Sequence, residues 1–376
     1  MRNEKITGKP MMKLRELTNH LESIAPLDYQ EPYDNAGLLV GSPDKDVKQG
    51  LLSLDCTEAV VDEAIATGCD VIISHHPIVF KGLKRFNGNT YVERVVMKAI
   101  KHDIALYAIH TNLDNVMGGV NSKIAERLEL HDTRILSPKG DLLRKLVVFV
   151  PKGHVERVRA ALFAAGAGSI GRYDACSFNT AGYGTFRAGE GADPFVGQPG
   201  EHHREEEMRV EVIYPATNER TVLRGLFEVH PYEEVAYDIY RLQNNDQGVG
   251  SGLVGRLEKP MEESDFLALL KAQLGAKVIR HTALRGKPVA DVAVCGGAGG
   301  FLLAHAIRAG ADVFVTADYK YHEFFDAEGK IVIADVGHFE SEQFTQQLLL
   351  EIIQKKFPTF AVRLTGTDTN PIKYYS

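Results

Sequence analysis

Cysteine is sparse and scattered: the 376 residues hold four, Cys56, Cys69, Cys176 and Cys295, with no CxxC pair. That spacing argues against a disulfide framework or a thiolate zinc site and fits a reducing compartment. Positive charge is not in excess either. The formal net charge is −7, which disfavours a nucleic-acid partner, since a phosphate-backbone binder normally shows a basic face. No apolar run approaches the roughly 20 residues needed to span a bilayer, so no membrane association is expected. Residues Met1 to Pro10 are polar and lack a signal peptide's apolar core. The expected location is cytoplasmic, and residues 1–11 read as a polar extension.

What is present is an ordinary globular composition, 44% hydrophobic and 25% charged, in a chain long enough for two or three domains. Leu14, Leu17, Leu21 and Ile24 keep a helical period. The segment 51–55 reads as a strand, Thr57 as the N-cap of a helix over Glu58 to Thr67, and Gly68 as its stop. Val71 to Ile73, a helix across 91–102 and a strand over 105–109 continue an α/β alternation that indicates a largely parallel sheet. From about Leu142 to about Gln243 the order becomes βαβ-βαβ, that of a ferredoxin-like domain. It includes a hairpin over 170–187 and a Gly/Pro/charge-rich loop over 188–206. The α/β pattern then resumes, with strands over 289–294, 312–316 and 331–334 and a last helix running from 338 to 355. The expected fold is a discontinuous α/β domain, 12–141 with 244–376, holding an inserted ferredoxin-like α+β domain over 142–243.

Four loops share one form, an apolar strand whose C-terminal end carries His or carboxylate groups: Ser74-His75-His76, His110 to Asp114, Asp318 to His322, and His338 to Glu342. Ligands of open α/β sheets bind at the carboxyl ends of the strands. Neighbouring side chains on an extended chain point to opposite sides, so His75 and His76 suit two different atoms rather than one. His338 and Glu342, four apart on a helix, share a face. Each loop alone is weak evidence, and the His-His pair alone reads better as a polar loop after a core strand. Together they nominate His75, His76, Asp114, His338 and Glu342 as metal ligands. A mononuclear catalytic zinc site usually takes three protein ligands, so these candidates fit two divalent ions about 3.5–4 Å apart better. Nitrogen and oxygen ligation suits zinc, iron, manganese or cobalt; zinc is the first expectation, and magnesium is also admitted.

The strings Ser74-His-His-Pro-Ile-Val-Phe-Lys-Gly82, His110-Thr-Asn-Leu-Asp114 and Gly337-His-Phe-Glu-Ser-Glu342 resemble the NIF-three-like family, whose bacterial members are called GTP cyclohydrolase 1 type 2 homologues. Asp34 to Leu38 and Thr316 to His322 extend the match, which runs from about residue 12 to the C-terminus. The resemblance implies two divalent metals in a cleft, with His76 and Asp114 on one ion, His75 and His338 on the other, and Glu342 bridging. It also implies a toroidal homohexamer. The insert resembles trimer-forming PII/CutA-like modules, on the stretch His230-Pro-Tyr-Glu-Glu-Val235. Tyr33 stands where the family usually shows Trp, and Ala317-Asp318 where Gly-Glu or Gly-Asp is common, so only Asp318 and His322 carry over as pocket residues.

The reading that follows is a metal-dependent hydrolase acting on a nucleotide such as GTP, with His322 or Asp318 as proton carrier. The alternative is a metal-binding regulatory or scaffold protein without turnover. Four further signals are weaker. Gly296 to Gly300 reads as a tight strand-to-helix turn rather than a phosphate cradle. Glu201-His202-His203-Arg204 reads as a solvated, mobile loop, and Lys81, Lys84 and Arg85 as either a phosphate contact or a solvated rim. Asp55 either orients a ligand histidine or caps a helix.

Overall fold

The computed structural model describes residues 11–375; the extension expected over residues 1–11 lies outside them, Met11 excepted. The chain divides into two compact units, one formed by the residues up to Ser137 with those from Gly248 onward, the other by Pro138–Gln247. The composition shift places these boundaries at 142 and 243. It misses them because the strands His131–Lys139 and Asp246–Met261 run through the crossings without a break.

In the first half of the discontinuous unit, the helix Glu58–Thr67 begins where Thr57 Oγ1 accepts the Val60 N–H and ends at Gly68, which takes the left-handed conformation. The chain then enters Val71–Ser74, a strand buried along its whole length. It lies mid-sheet in the order Ala361–Leu364, Gln49–Ser53, Val71–Ser74, Ala105–Ala108, Gly37–Val40. All neighbours are parallel except the last pair. Burial on both faces is why these strands are continuous apolar runs. Leu51, Ile72 and Leu106 pack with Val60, Ala64 and Val95 of the flanking helices.

The second half repeats the idea. Val289–Val294, Val313–Thr316 and Val332–Asp335 are parallel, with antiparallel strands on both sides, in a six-stranded sheet. Phe314, Ile333, Leu302 and Ala306 form its core. The last helix is two: His338–Glu342 and Thr345–Lys356. The segment after the Gly-rich loop is likewise a short 3-10 turn, Gly300–Leu302, before the helix Leu303–Arg308.

The inserted unit has four antiparallel strands in the order Tyr237–Arg241, Leu143–Pro151, His202–Pro215, Phe178–Arg187. Helices Val155–Ala164 and Glu219–Val229 follow the first and third strands in chain order, a ferredoxin-like topology. The hairpin expected over 170–187 is not formed. Gly168, Gly171 and Ala175 have positive φ and turn the chain repeatedly, so only Phe178–Arg187 is a strand, paired with His202–Pro215. That pairing also corrects the mobile loop expected at 201–204. The strand starts at His202, and His203 meets Glu205 at 3.0 Å, as residues two apart on one strand face do. No helix among the described residues is long and apolar enough to cross a membrane.

Candidate metal centre

Val71–Ser74 has the strand Gln49–Ser53 on one side and Ala105–Ala108 on the other, and its two histidines turn towards different neighbours. His75 is fully buried. Its Nδ1 donates to the Ile109 carbonyl at 2.8 Å, and its Nε2 lies 3.5 Å from Asp114 Oδ1 and 3.9 Å from Glu342 Oε1. His76 turns the other way. Its Nδ1 meets Asp55 Oδ1 at 2.7 Å, and its Nε2 meets Glu342 Oε2 at 3.0 Å. His338 completes this side: Nδ1 is 2.7 Å from Asp318 Oδ2, and Nε2 is 3.0 Å from Glu342 Oε2 and 3.3 Å from His76 Nε2.

Two groups that share Glu342 result, His76 with His338 and Glu342, and His75 with Asp114 and Glu342, and a third joins His75, His76 and His110, the ligand atoms of each lying within 4.8 Å of one another. This corrects the pairing implied by the resemblance, which puts His76 with Asp114 and His75 with His338. The alternation of the strand holds, but strand order decides the partners. Asp114 follows the neighbouring strand on the His75 side, and Asp55 follows the neighbour on the His76 side. The two oxygens of Glu342 divide between the groups.

The chemistry of the donor set fits a cation. His75 Nε2 and Asp114 Oδ1 are both buried without a hydrogen-bond partner, a costly state for polar atoms that nothing else satisfies. His76 and His338 point nitrogen at nitrogen over 3.3 Å, which needs a proton or a positive ion between them. Every ligand histidine has Nδ1 held from behind, by Ile109, Asp55 or Asp318, leaving Nε2 to face inward. That is how metal-ligating histidines are usually oriented. Protonation follows the same field. Burial opposes charge on His76, but the Asp55 and Glu342 carboxylates prevail and hold it up at about 9. His338, buried against Asp318 and Glu342, is held at about 11 by the same balance. Burial, then the Glu342 charge, pushes Asp114 up to about 7. Burial also works against ionised Glu342, yet His338, His75 and His76 keep its carboxyl well below the usual range.

The Gly-rich loop is a wall of this site. Gly297 has φ +60°, and a Cβ there would stand 2.5 Å from Glu342 Oε1 and 3.1 Å from His338 Cε1. The N–H groups of Gly296, Gly297 and Gly299 already donate to Asn121, Ser341 and Thr316. The loop is thus a tight turn, with those N–H groups committed inside the protein.

Asp318 arrives at the site as the residue that holds His338. His322 does not arrive: it is exposed, stacked on Phe325 and edge-on to Tyr321, and belongs to none of the groups. Asp55 orients His76, and Thr369 Oγ1 in turn donates to its Oδ2 at 2.8 Å. Lys81, Lys84 and Arg85 are exposed. His110 is the residue that strand-end reasoning passes over, although it too ends an apolar strand. Its ring lies 5.3 Å from that of His75 and 5.4 Å from that of His76. Asp34 Oδ1 fixes its Nδ1 at 2.7 Å. Phe80, 6.4 Å from the His110 ring, and the exposed Tyr33, 6.2 Å from Phe80, form an aromatic edge beside it.

Comparison with known proteins places the chain in a family. The profile described as DUF34/NIF3 (NGG1p interacting factor 3) matches residues 12–371. A Bacillus subtilis (strain 168) protein named GTP cyclohydrolase 1 type 2 homolog is 40% identical over 366 residues, 96% of this chain and 98% of its own. One of the same name from Halalkalibacterium halodurans is 42% identical over 349 residues, 91% and 93% of the two chains. The crystal structure of a Bacillus cereus protein related to NIF3 superposes with a TM-score of 0.85 at 39% identity, covering 97% of this chain and 99% of the other. With its fold, its strand-end histidines and its near full-length match, the chain belongs to the DUF34/NIF3 family.

Proposed function

We propose that the protein is a dinuclear metal-dependent hydrolase acting on a nucleotide, with GTP as the first candidate substrate. The observation that carries the two-ion reading is Glu342, a buried carboxylate with one oxygen in each ligand group. His76 and His338 would hold one ion, His75 and Asp114 the other. Zinc is the first choice for this nitrogen and oxygen set. When bound, the ions would supply Lewis acidity and lower the pKa of a bound water.

The chain's own residues do the rest. Asp55 and Asp318 fix the imidazoles of His76 and His338 against rotation. His110, anchored through Nδ1 to Asp34, leaves Nε2 as the proton carrier at the mouth, a role that the exposed His322 is not placed to fill. Tyr33 and Phe80 offer flat apolar surface to a purine base. The names of the relatives point to GTP. In that reaction one water opens the imidazole ring of guanine at C8 and a second releases C8 as formate. Zinc-loaded protein incubated with GTP should release formate, measured enzymatically, and lose this activity on chelation. Metal-replete protein that releases none would remove GTP from the proposal.

The same family resemblance supports a toroidal homohexamer, with the insert serving as a PII/CutA-like assembly module on the strength of its strand order. Light scattering behind size-exclusion chromatography tests it: a mass of six chains is expected, and a monomer would refute it.

A further inference from the structure

The inserted unit buries one face of its sheet under its two helices, with Val148, Val150, Val210 and Val212 packed on Val158 and Leu226. Alternation along the strands sends Phe149, Glu207 and Arg209 to the opposite face. There lies a cavity of about 670 Å³, within the usual range for small-ligand sites. Its lining includes the aromatic residues Phe149, Phe186, Phe195 and Tyr232. Phe195 comes from the connection between Phe178–Arg187 and His202–Pro215, and its ring centroid is 6.2 Å from that of Tyr232.

A buried carboxyl group sits beside these aromatic side chains. Glu207 lines the cavity, is only 9% exposed, and has no ion-pair partner among the described residues. Tyr232 Oη donates to its Oε1 at 2.9 Å. Its other oxygen occupies the space that a Cβ on Gly184 would fill. The cation of the lining, Arg209, turns its Nε to Glu211 Oε1 at 2.9 Å, while Lys145 holds the other Glu211 oxygen, and it makes no ion pair with Glu207 among the described residues. Glu233 and Glu234 add to the acidic side of the lining.

A buried carboxylate with one neutral hydrogen bond remains costly until a positive group compensates it. Aromatic faces around it favour the same sign of charge. Arg204, 3.6 Å above the Tyr183 ring, already shows such a contact on this unit. Phosphorylated or carboxylate ligands are repelled, and a neutral ligand leaves Glu207 uncompensated. We infer that this cavity binds a small organic cation, an amine or guanidine on an apolar or aromatic body, with Glu207 as counter-ion and Phe195 and Tyr232 as its aromatic walls.

Tyramine, 4-ethylphenol and 4-hydroxyphenylacetate share a phenol and differ in charge, and calorimetric titration of the full chain with each tests the assignment. Tyramine should bind at least about tenfold tighter than 4-ethylphenol, as a charge-assisted hydrogen bond implies, and the anion most weakly. Glu207→Gln keeps an acceptor for Tyr232 and should reduce tyramine to the level of 4-ethylphenol, leaving 4-ethylphenol unchanged. Gly184→Ala, which displaces the carboxylate, should cost tyramine affinity in the same way. A series without charge preference, or a tyramine preference that survives in Glu207→Gln, overturns the assignment. So does a series in which no member binds; a change in assembly size on Phe195→Ala would then give the cavity to a second copy of the chain.

Discussion

His75 and His76 are adjacent in sequence yet answer to different neighbours, and this difference can be measured residue by residue. His75→Ala should empty the group that contains Asp114, and His76→Ala the group that contains His338. Elemental analysis of each variant should therefore show loss of one ion, with Asp114→Ala matching the first and His338→Ala the second. Identical losses in all four would leave a single site. Asp34 gives a separate test through pH. Its side chain is fully buried. Burial alone would raise its pKa, but the hydrogen bonds from His110 and Thr111 bring it down from 3.8 to about 2. A folded pKa below the unfolded one stabilises the protein above the unfolded value, and that contribution is lost as pH falls through the folded value. The shift corresponds to roughly 2 kcal/mol. Asp34→Asn should lower urea stability by about that amount at neutral pH, and the gap to the parent should close between pH 3.8 and about 2. A gap constant with pH would contradict the assignment.

At the scale of elements, the Gly-rich turn is the part whose geometry most constrains the centre. Gly297→Ala places a methyl against Glu342 and His338 and adds left-handed strain of about 1–2 kcal/mol. Gly310 has φ +77° with nothing within 4 Å of its Cβ position, so Gly310→Ala carries the strain alone. Both variants should melt earlier, but only Gly297→Ala should lose metal; equal metal content in the two would free the turn of any role in the site. The central strands and the helix Glu58–Thr67 are legible in the sequence because apolar runs, a Thr cap and a terminal Gly state their limits locally. Several edge strands are not. His131–Lys139 lies at a sheet edge, carries charges and Pro138, and is tolerated because an edge leaves backbone groups unpaired. Ala361–Leu364 and Arg280–His281 are edges as well. The ligand candidates are legible for a similar reason, each following an apolar strand or opening a helix. Their partition between two groups is not, since it depends on which strands flank Val71–Ser74. Nor is the role of His110, which needs Asp34 from 76 residues away.

For the whole molecule, the division into two units separates two properties. All five ligand candidates lie outside Pro138–Gln247, and the inserted unit has its own core around Val148, Val210 and Leu226. Replacing 138–247 by a short flexible linker should leave metal content unchanged, while the mass from light scattering should fall if the insert carries assembly. Loss of metal in that variant would mean that the unit outside the insert does not fold without it.

Glu342 meets His76 across 266 residues of chain, and this separation gives synthesis an order. A growing chain presents His75, His76 and Asp114 early, then makes the whole insert, and only near its end supplies the carboxylate that both groups share. Domains generally fold as units, N-terminal ones first, during synthesis. Truncated chains therefore carry three of the five ligand candidates and neither of the two groups that share Glu342, so the carboxylate common to both marks a finished polypeptide.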